Sequence, residues 1–261
     1  MLKNLLNLDI SNRKKIIVSG CSYSDNWWTR EYGWPVWPEL LAEKLDMECI
    51  NLAKCGKGNE YICSSIMDYL FLENIGLVVV MWSEFGRLDF YRYSQIDNKE
   101  IYKWDALHFP VEQGTVDRHD VEWKNKIMKE LYEMGFGEDI GTTRRSIRMF
   151  YMFQQTMKSL NIPFLMIMGT FPITRKLQLI HPKIQKDIID SHYLTSIDKN
   201  SFIGWPIFPE LGGWNIDTLL DNYDYEDVRM SLDDCHPNEK GHKIISQEIY
   251  KHYELEYGTI F

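Results

Sequence analysis

Leu77-Val78-Val79-Val80-Met81-Trp82 is a run of six apolar residues, three of them β-branched, closed by Ser83. A short run without polar alternation describes a strand covered on both faces, as in parallel sheets. Segments of the same kind recur on either side of it. Lys15–Ser19, with Ile16-Ile17-Val18 at its centre, reads as a strand stopped by Gly20; Met47–Leu52 and Pro163–Met168 supply two more. Between them the apolar period becomes helical. Leu40, Leu41 and Leu45 share a face over Pro35–Leu45. Ile62, Ile66, Tyr69 and Leu70 do so over Glu60–Leu72, after the turn Cys55-Gly56-Lys57-Gly58-Asn59. Further helices are predicted over Thr143–Leu160 and over Asn238–Tyr253, the last with Ile244, Ile245, Ile249 and Tyr253 inward. Strands alternating with helices predict an α/β fold with a central, mostly parallel sheet between two helical layers.

Two stretches break this rhythm. Residues from about 90 to 141 are rich in aromatic and charged side chains and carry one predicted helix near Asp120–Met134. They read as an irregular insertion without a strand pattern of their own. Residues from about 172 to 232 read as a long loop region with a helix near Pro182–Asp190. With no internal repeat, heptad pattern or low-complexity linker, residues 1–261 are expected to form a single domain.

Composition narrows the classes of function. The chain has 261 residues, 44% hydrophobic and 26% charged, with a net charge of −9. That balance speaks against nucleic-acid or anionic-membrane partners. No apolar run approaches the roughly 18–20 residues of a membrane span, and Met1–Lys15 lacks the apolar core of a secretory signal, so a cytoplasmic protein is expected. Five cysteines (Cys21, Cys49, Cys55, Cys63 and Cys235) are an odd number without paired spacing, consistent with a reducing compartment. No Cys-x-x-Cys pair, His-Glu-x-x-His, Walker loop or Gly-x-Gly-x-x-Gly fingerprint is present, so neither a metal nor a cofactor is expected. Arg144, Arg145 and Arg148 read as a solvated helix face.

In open parallel sheets, functional groups collect at the carboxyl ends of the strands. Ser22 follows the first predicted strand by three residues, Gly56 follows the second by about four, and Ser83 follows Trp82 directly. Asp233 and His236 precede the last helix. All can lie on one rim, where Ser22, His236 and Asp233 would make a nucleophile, a general base and an orienting acid. His242, on the final helix, is expected on another face, in solvent or in packing.

These residues also carry a resemblance. Gly20-Cys21-Ser22-Tyr23-Ser24, Asn51-Leu52-Ala53-Lys54-Cys55-Gly56 and Asp233-x-x-His236-Pro237 resemble the first, second and last blocks of the SGNH, or GDSL-type, hydrolases. The resemblance implies a flavodoxin-like three-layer sandwich and a carboxylic ester hydrolase. It implies that Ser22 forms an acyl-enzyme, with His236 as base and Asp233 as its partner. The backbone N–H groups of Ser22 and Gly56 would hold the oxyanion. Two positions depart from the family pattern. Cys21 replaces the usual aspartate before the nucleophile, and the third block, normally Gly-x-Asn-Asp, reads Trp82-Ser83-Glu84-Phe85-Gly86-Arg87. Trp-Ser followed by arginine resembles divergent phage-type or marine-bacterial members. An ionised Glu84 would repel an oxyanion, so the third donor is expected to be Ser83, with Asn59 second.

Trp27, Trp28, Tyr32, Trp34 and Trp37 follow the nucleophile. Trp27 and Trp28, with Arg87, are the expected substrate contacts, and flat aromatic faces suit a glycan. A carbohydrate O-acyl esterase removing small acyl groups such as acetyl is the leading expectation. Acyl transfer on the same residues and a non-catalytic glycan- or protein-binding module are the alternatives.

Overall fold

A computed structural model describes residues 14–72, 74–96, 99–109, 122–173 and 182–258. In chain order its elements are β1 (Lys15–Ser19), α1 (Trp27–Tyr32), α2 (Trp37–Lys44), β2 (Glu48–Asn51), α3 (Asn59–Met67), β3 (Ile75–Trp82), β4 (Arg87–Ile96) and β5 (Lys99–His108). There follow α4 (Glu122–Glu133), α5 (Asp139–Ser159), β6 (Phe164–Met168), α6 (Pro182–Ile189), α7 (Tyr193–Ser196) and β7 (Phe202–Ile203). The chain continues through α8 (Ile216–Leu220), α9 (Tyr225–Val228), β8 (Arg229–Ser231), β9 (Asp234–Pro237) and α10 (Glu239–Tyr257).

Five strands form one sheet in the order β2-β1-β3-β6-β7, every pairing parallel. Counted along the chain this is the flavodoxin-like order 2-1-3-4-5, whose direction of winding reverses between β1 and β3. The apolar runs are continuous because both faces are covered. Ile17, Val78, Val80, Trp82, Phe164, Met166 and Met168 pack into one core with α3 and α5. Their neighbours Ile16, Val18, Leu77, Val79, Met81, Leu165 and Ile167 point the other way, against α2, α8 and α10. The period of two along each strand makes this split.

The two stretches read as irregular have more structure than expected. β4 and β5 pair antiparallel over ten residues each, from Arg87 opposite His108 to Ile96 opposite Lys99. Leu88, Phe90 and Leu107 on one face pack with Met128 and Leu131 of α4. The hairpin hid from the pattern because its opposite face is also aromatic, so apolar and polar residues do not alternate. Between residues 182 and 232 lie four short α-helices, a 3-10 turn at Pro209–Leu211, the fifth parallel strand and half of a second hairpin; residues 174–181 of that stretch, like 97–98 and 110–121 of the other, lie outside the described residues. The helix expected near Pro182 is α6. No helix among the described residues is long and apolar enough to cross a membrane.

α10 is clamped to α2. Asn238 caps α10 by accepting from the Gly241 amide. Gly241 is required there, since a Cβ would sit 2.3 Å from the Val228 carbonyl oxygen. One turn on, His242 is fully buried, and its Nδ1 accepts the N–H of Trp37 at the start of α2 at 3.2 Å. His242 therefore packs rather than meeting solvent. Burial, and to a lesser degree the nearby His236, lower its pKa to about 3. The unfolded chain protonates it near pH 6.5 while the fold holds it neutral. The contribution is thus full above about pH 6.5 and is lost as pH falls toward 3. We expect His242→Asn, which keeps an acceptor for Trp37, to flatten the acid limb of a urea-midpoint series between pH 6.5 and 4.

Candidate active site

The Ser22 turn leaves β1 at the sheet's reversal point, where a ligand crevice is expected. Ser22 is 5% exposed, and its Oγ lies 2.8 Å from His236 Nε2. His236 Nδ1 lies 2.6 Å from Asp234 Oδ1, which also accepts the His236 backbone N–H at 3.0 Å. A proton on Nδ1 directed at the carboxylate leaves the Nε2 lone pair free to accept the serine hydroxyl. Residues more than two hundred positions apart thus form a continuous acid–base–hydroxyl chain.

The acid differs from the one expected. Asp233 is exposed in the turn between β8 and β9, whereas Asp234 begins β9. In an extended strand residues two apart share a face, so Asp234 lies beside His236. A helical or turn geometry, which the spacing Asp-x-x-His suggests, would have favoured Asp233.

A buried polar network ties the histidine hairpin to the Ser22 turn. Arg229 is 1% exposed. Its Nη1 donates to Asp217 Oδ1 at 2.9 Å and to the Cys235 carbonyl at 2.6 Å, and its Nη2 donates to Asp221 Oδ1 at 2.9 Å. Tyr23, next to Ser22, donates to the same Asp217 oxygen at 2.8 Å and to the Cys235 carbonyl at 3.1 Å. Asp217 Oδ2 takes the Phe171 N–H at 3.1 Å. Burial and the Asp217 charge raise the Tyr23 pKa, so the phenol stays a donor.

The loop that carries Gly56 is held from three sides. Gly56 itself has φ +73°, a conformation that favours glycine. Asp25 Oδ2 accepts the Cys55 N–H at 2.7 Å, and Asp89 accepts those of Gly58 at 2.8 Å and Tyr61 at 3.0 Å. His108, at the base of β5, places Nε2 2.9 Å from the Gly56 carbonyl oxygen. His108 keeps part of its surface in solvent, but the protein atoms crowded around the ring, then the Arg87 charge, lower its pKa to about 4, so at neutral pH a neutral imidazole donates to Gly56. Asp25, Asp89 and His108 were not singled out from the sequence. Asp25 alone had a local signal, three residues beyond Ser22.

No family model and no curated protein matches the chain. Solved structures do. The esterase EstA from Pseudoalteromonas sp. matches 94% of this chain and 100% of its own at 14% identity and TM-score 0.49. Axe2, an acetyl xylan esterase from Geobacillus stearothermophilus, matches 92% and 94% at 12% and 0.46. A Desulfitobacterium hafniense protein described as lipolytic and of the G-D-S-L family matches 92% and 99% at 13% and 0.44. The chain is similar in fold to GDSL- and SGNH-type hydrolases and esterases.

Ser83, just after β3, and Asn59, at the start of α3, were expected to supply a further donor. Asn59 is not a free donor. Its Oδ1 accepts the Ser83 N–H at 2.8 Å, and its Nδ2 donates to the Ser83 carbonyl at 3.1 Å, a two-bond clasp across one residue. The Ser83 hydroxyl is buried without a hydrogen-bond partner among the described residues. Arg87 is buried rather than presented to a substrate. It donates to the Lys57 carbonyl at 2.9 Å and to Glu84 Oε2 at 3.3 Å, and so offsets the Glu84 charge. Arg145, from the cluster expected to face solvent, donates to the Phe85 and Arg87 carbonyls and braces the same loop.

The tryptophans divide. Trp28 is buried; its Nε1 donates to the Ser22 carbonyl at 2.7 Å and its ring lies 5.1 Å from that of His236. Trp37 is core, donating to Ser24 Oγ at 3.0 Å. Trp27 and Tyr32 are exposed beside them. All five cysteines are free thiols, and among the described residues no group of three His, Cys, Asp or Glu side chains could hold a metal ion.

Three substitutions separate the roles of these groups. Asp234→Asn should lower ester turnover by roughly 10⁴, as expected when the histidine loses its tautomer-fixing acid, while Asp233→Asn should stay within about two-fold of wild type; p-nitrophenyl acetate kinetics decide. Asp217→Ala, which removes the buried partner of Arg229 and leaves it only the more exposed Asp221, should cost about 3 kcal/mol in urea unfolding.

Proposed function

We propose that the protein is a serine-dependent ester hydrolase acting through an acyl-enzyme on Ser22, and that its substrates are carbohydrate O-acyl esters, acetyl esters foremost. The observation that carries the reading is the 2.8 Å contact of Ser22 Oγ with a histidine whose other nitrogen faces Asp234. In this reading Ser22 Oγ attacks the ester carbonyl as its proton passes to His236 Nε2. Asp234 stabilises the imidazolium that forms. The backbone N–H groups of Ser22 and Gly56 receive the oxyanion, and each such donor is worth about 3–4 kcal/mol of transition-state stabilisation. Collapse of the tetrahedral intermediate passes the proton from His236 to the departing alkoxide. Water, deprotonated by the same imidazole, then attacks the acyl-serine and releases the acid.

Three features support the oxyanion assignment. Gly56 sits in a positive-φ turn, its neighbours are pinned by Asp25 and Asp89, and its own carbonyl is held by His108. Preorganised donors are the requirement for such a site. The exposed rings of Trp27 and Tyr32 beside the buried Trp28–His236 contact support a sugar-bearing ester.

A fluorophosphonate probe tests the reading, with p-nitrophenyl acetate turnover alongside. Labelling should map to Ser22, disappear in Ser22→Ala and His236→Ala, and accompany a fall in kcat of at least about 10³ in each variant. A folded wild-type protein that neither labels nor turns over would overturn it.

A further inference from the structure

The β4–β5 hairpin has two unlike faces. One is covered by α4, through Leu88 and Phe90 against Met128 and Leu131. The other begins at the Gly56 loop, because Arg87, Asp89 and His108, which reach Lys57, Gly58 and Gly56, all share it. Farther along the same face stand Tyr91 opposite Trp104 and Tyr93 opposite Tyr102. Their ring centroids lie 5.5 Å and 5.2 Å apart, and the planes of Tyr91 and Tyr102 are within 14° of one another. Tyr61 of α3 meets Trp104 edge-on at 5.9 Å and joins the array to the body of the protein. From Arg87 to Tyr93 the face runs about 20 Å.

Tyr91, Tyr93 and Tyr102 are 59%, 49% and 58% exposed. At roughly 200 Å² per aromatic side chain they offer on the order of 300–350 Å². A stable protein partner, a second copy of this chain included, requires about 800 Å² from each side. Single-stranded nucleic acid also stacks on aromatic platforms, but it needs a basic groove for its phosphates. Here the four outer residues are neutral and the chain carries a net charge of −9. What fits is a narrow, uncharged ligand with apolar faces and hydroxyl edges.

We propose that this face is a binding subsite for an extended neutral glycan, which lies along the tyrosines and brings an ester toward Ser22. Sugar C–H faces pack on the rings while the phenol hydroxyls meet the sugar's own. The proposal deepens the ester-hydrolase reading by naming a polymeric substrate, yet binding at this face does not require turnover.

The experiment therefore reads binding in the Ser22→Ala protein, by calorimetry with xylohexaose, cellohexaose and chitohexaose. At least one should bind. Adding Tyr91→Ser and Tyr102→Ser should weaken it ten-fold or more, while Tyr91→Phe with Tyr102→Phe, which keep the ring faces, should retain most of the affinity. With Ser22 intact, the paired serine substitutions should leave p-nitrophenyl acetate turnover within two-fold. Failure of every hexasaccharide to bind, or binding undiminished by the serine pair, overturns the proposal. So does a dimer in sedimentation that the serine pair dissolves, or tighter binding of a single-stranded oligonucleotide. Glycan binding with no labelling of Ser22 would instead remove the hydrolase reading and leave the subsite standing.

Discussion

The site depends on the buried Arg229–Asp217–Tyr23 network. His236 stands on a hairpin of three and four residues, too short to be stable alone and without a core of its own. Apolar contact cannot fix such an element to a fraction of an ångström. Hydrogen bonds from a buried guanidinium can. Arg229 grips the Cys235 carbonyl next to the histidine, and Tyr23 reaches the same carbonyl from beside Ser22. Asp217 neutralises the arginine and accepts from both. One buried charge pair thus sets the distance between Ser22 and His236. Its partners keep the charge from being left unpaired, the condition under which burial is most costly.

The opposite wall follows the same logic with different chemistry. The Gly56 loop has little apolar content, so its conformation is held by carboxylates accepting backbone N–H groups and by His108 donating to a backbone carbonyl. Asp89 and His108 come from the β4–β5 hairpin. That hairpin therefore braces the loop at its base while presenting aromatic rings farther out.

Much of this was legible beforehand, and the reasons are local. β1 is predicted to the residue, and β3 and α10 nearly so, because continuous β-branched runs and helical periodicity are properties of neighbouring residues. The β4–β5 hairpin was not, since Leu88 and Phe90 on one face and Tyr91 and Tyr93 on the other erase the alternation that announces a strand. Asn59 was expected to offer its amide to a ligand; its clasp on Ser83 depends on α3 and the end of β3 meeting side by side.

By itself the sequence determined the layers of the fold and the strand end at which Ser22 stands, because strand ends and their following residues are set by local pattern. Only the tertiary structure decided that Asp234 rather than Asp233 faces the imidazole, that Arg87 is buried in the loop it braces, and that Asp25, Asp89 and His108 shape the Gly56 turn. Each of those outcomes is a matter of which face a side chain takes or which distant backbone group it meets. A direction of a few ångströms between remote segments leaves no mark on spacing or composition.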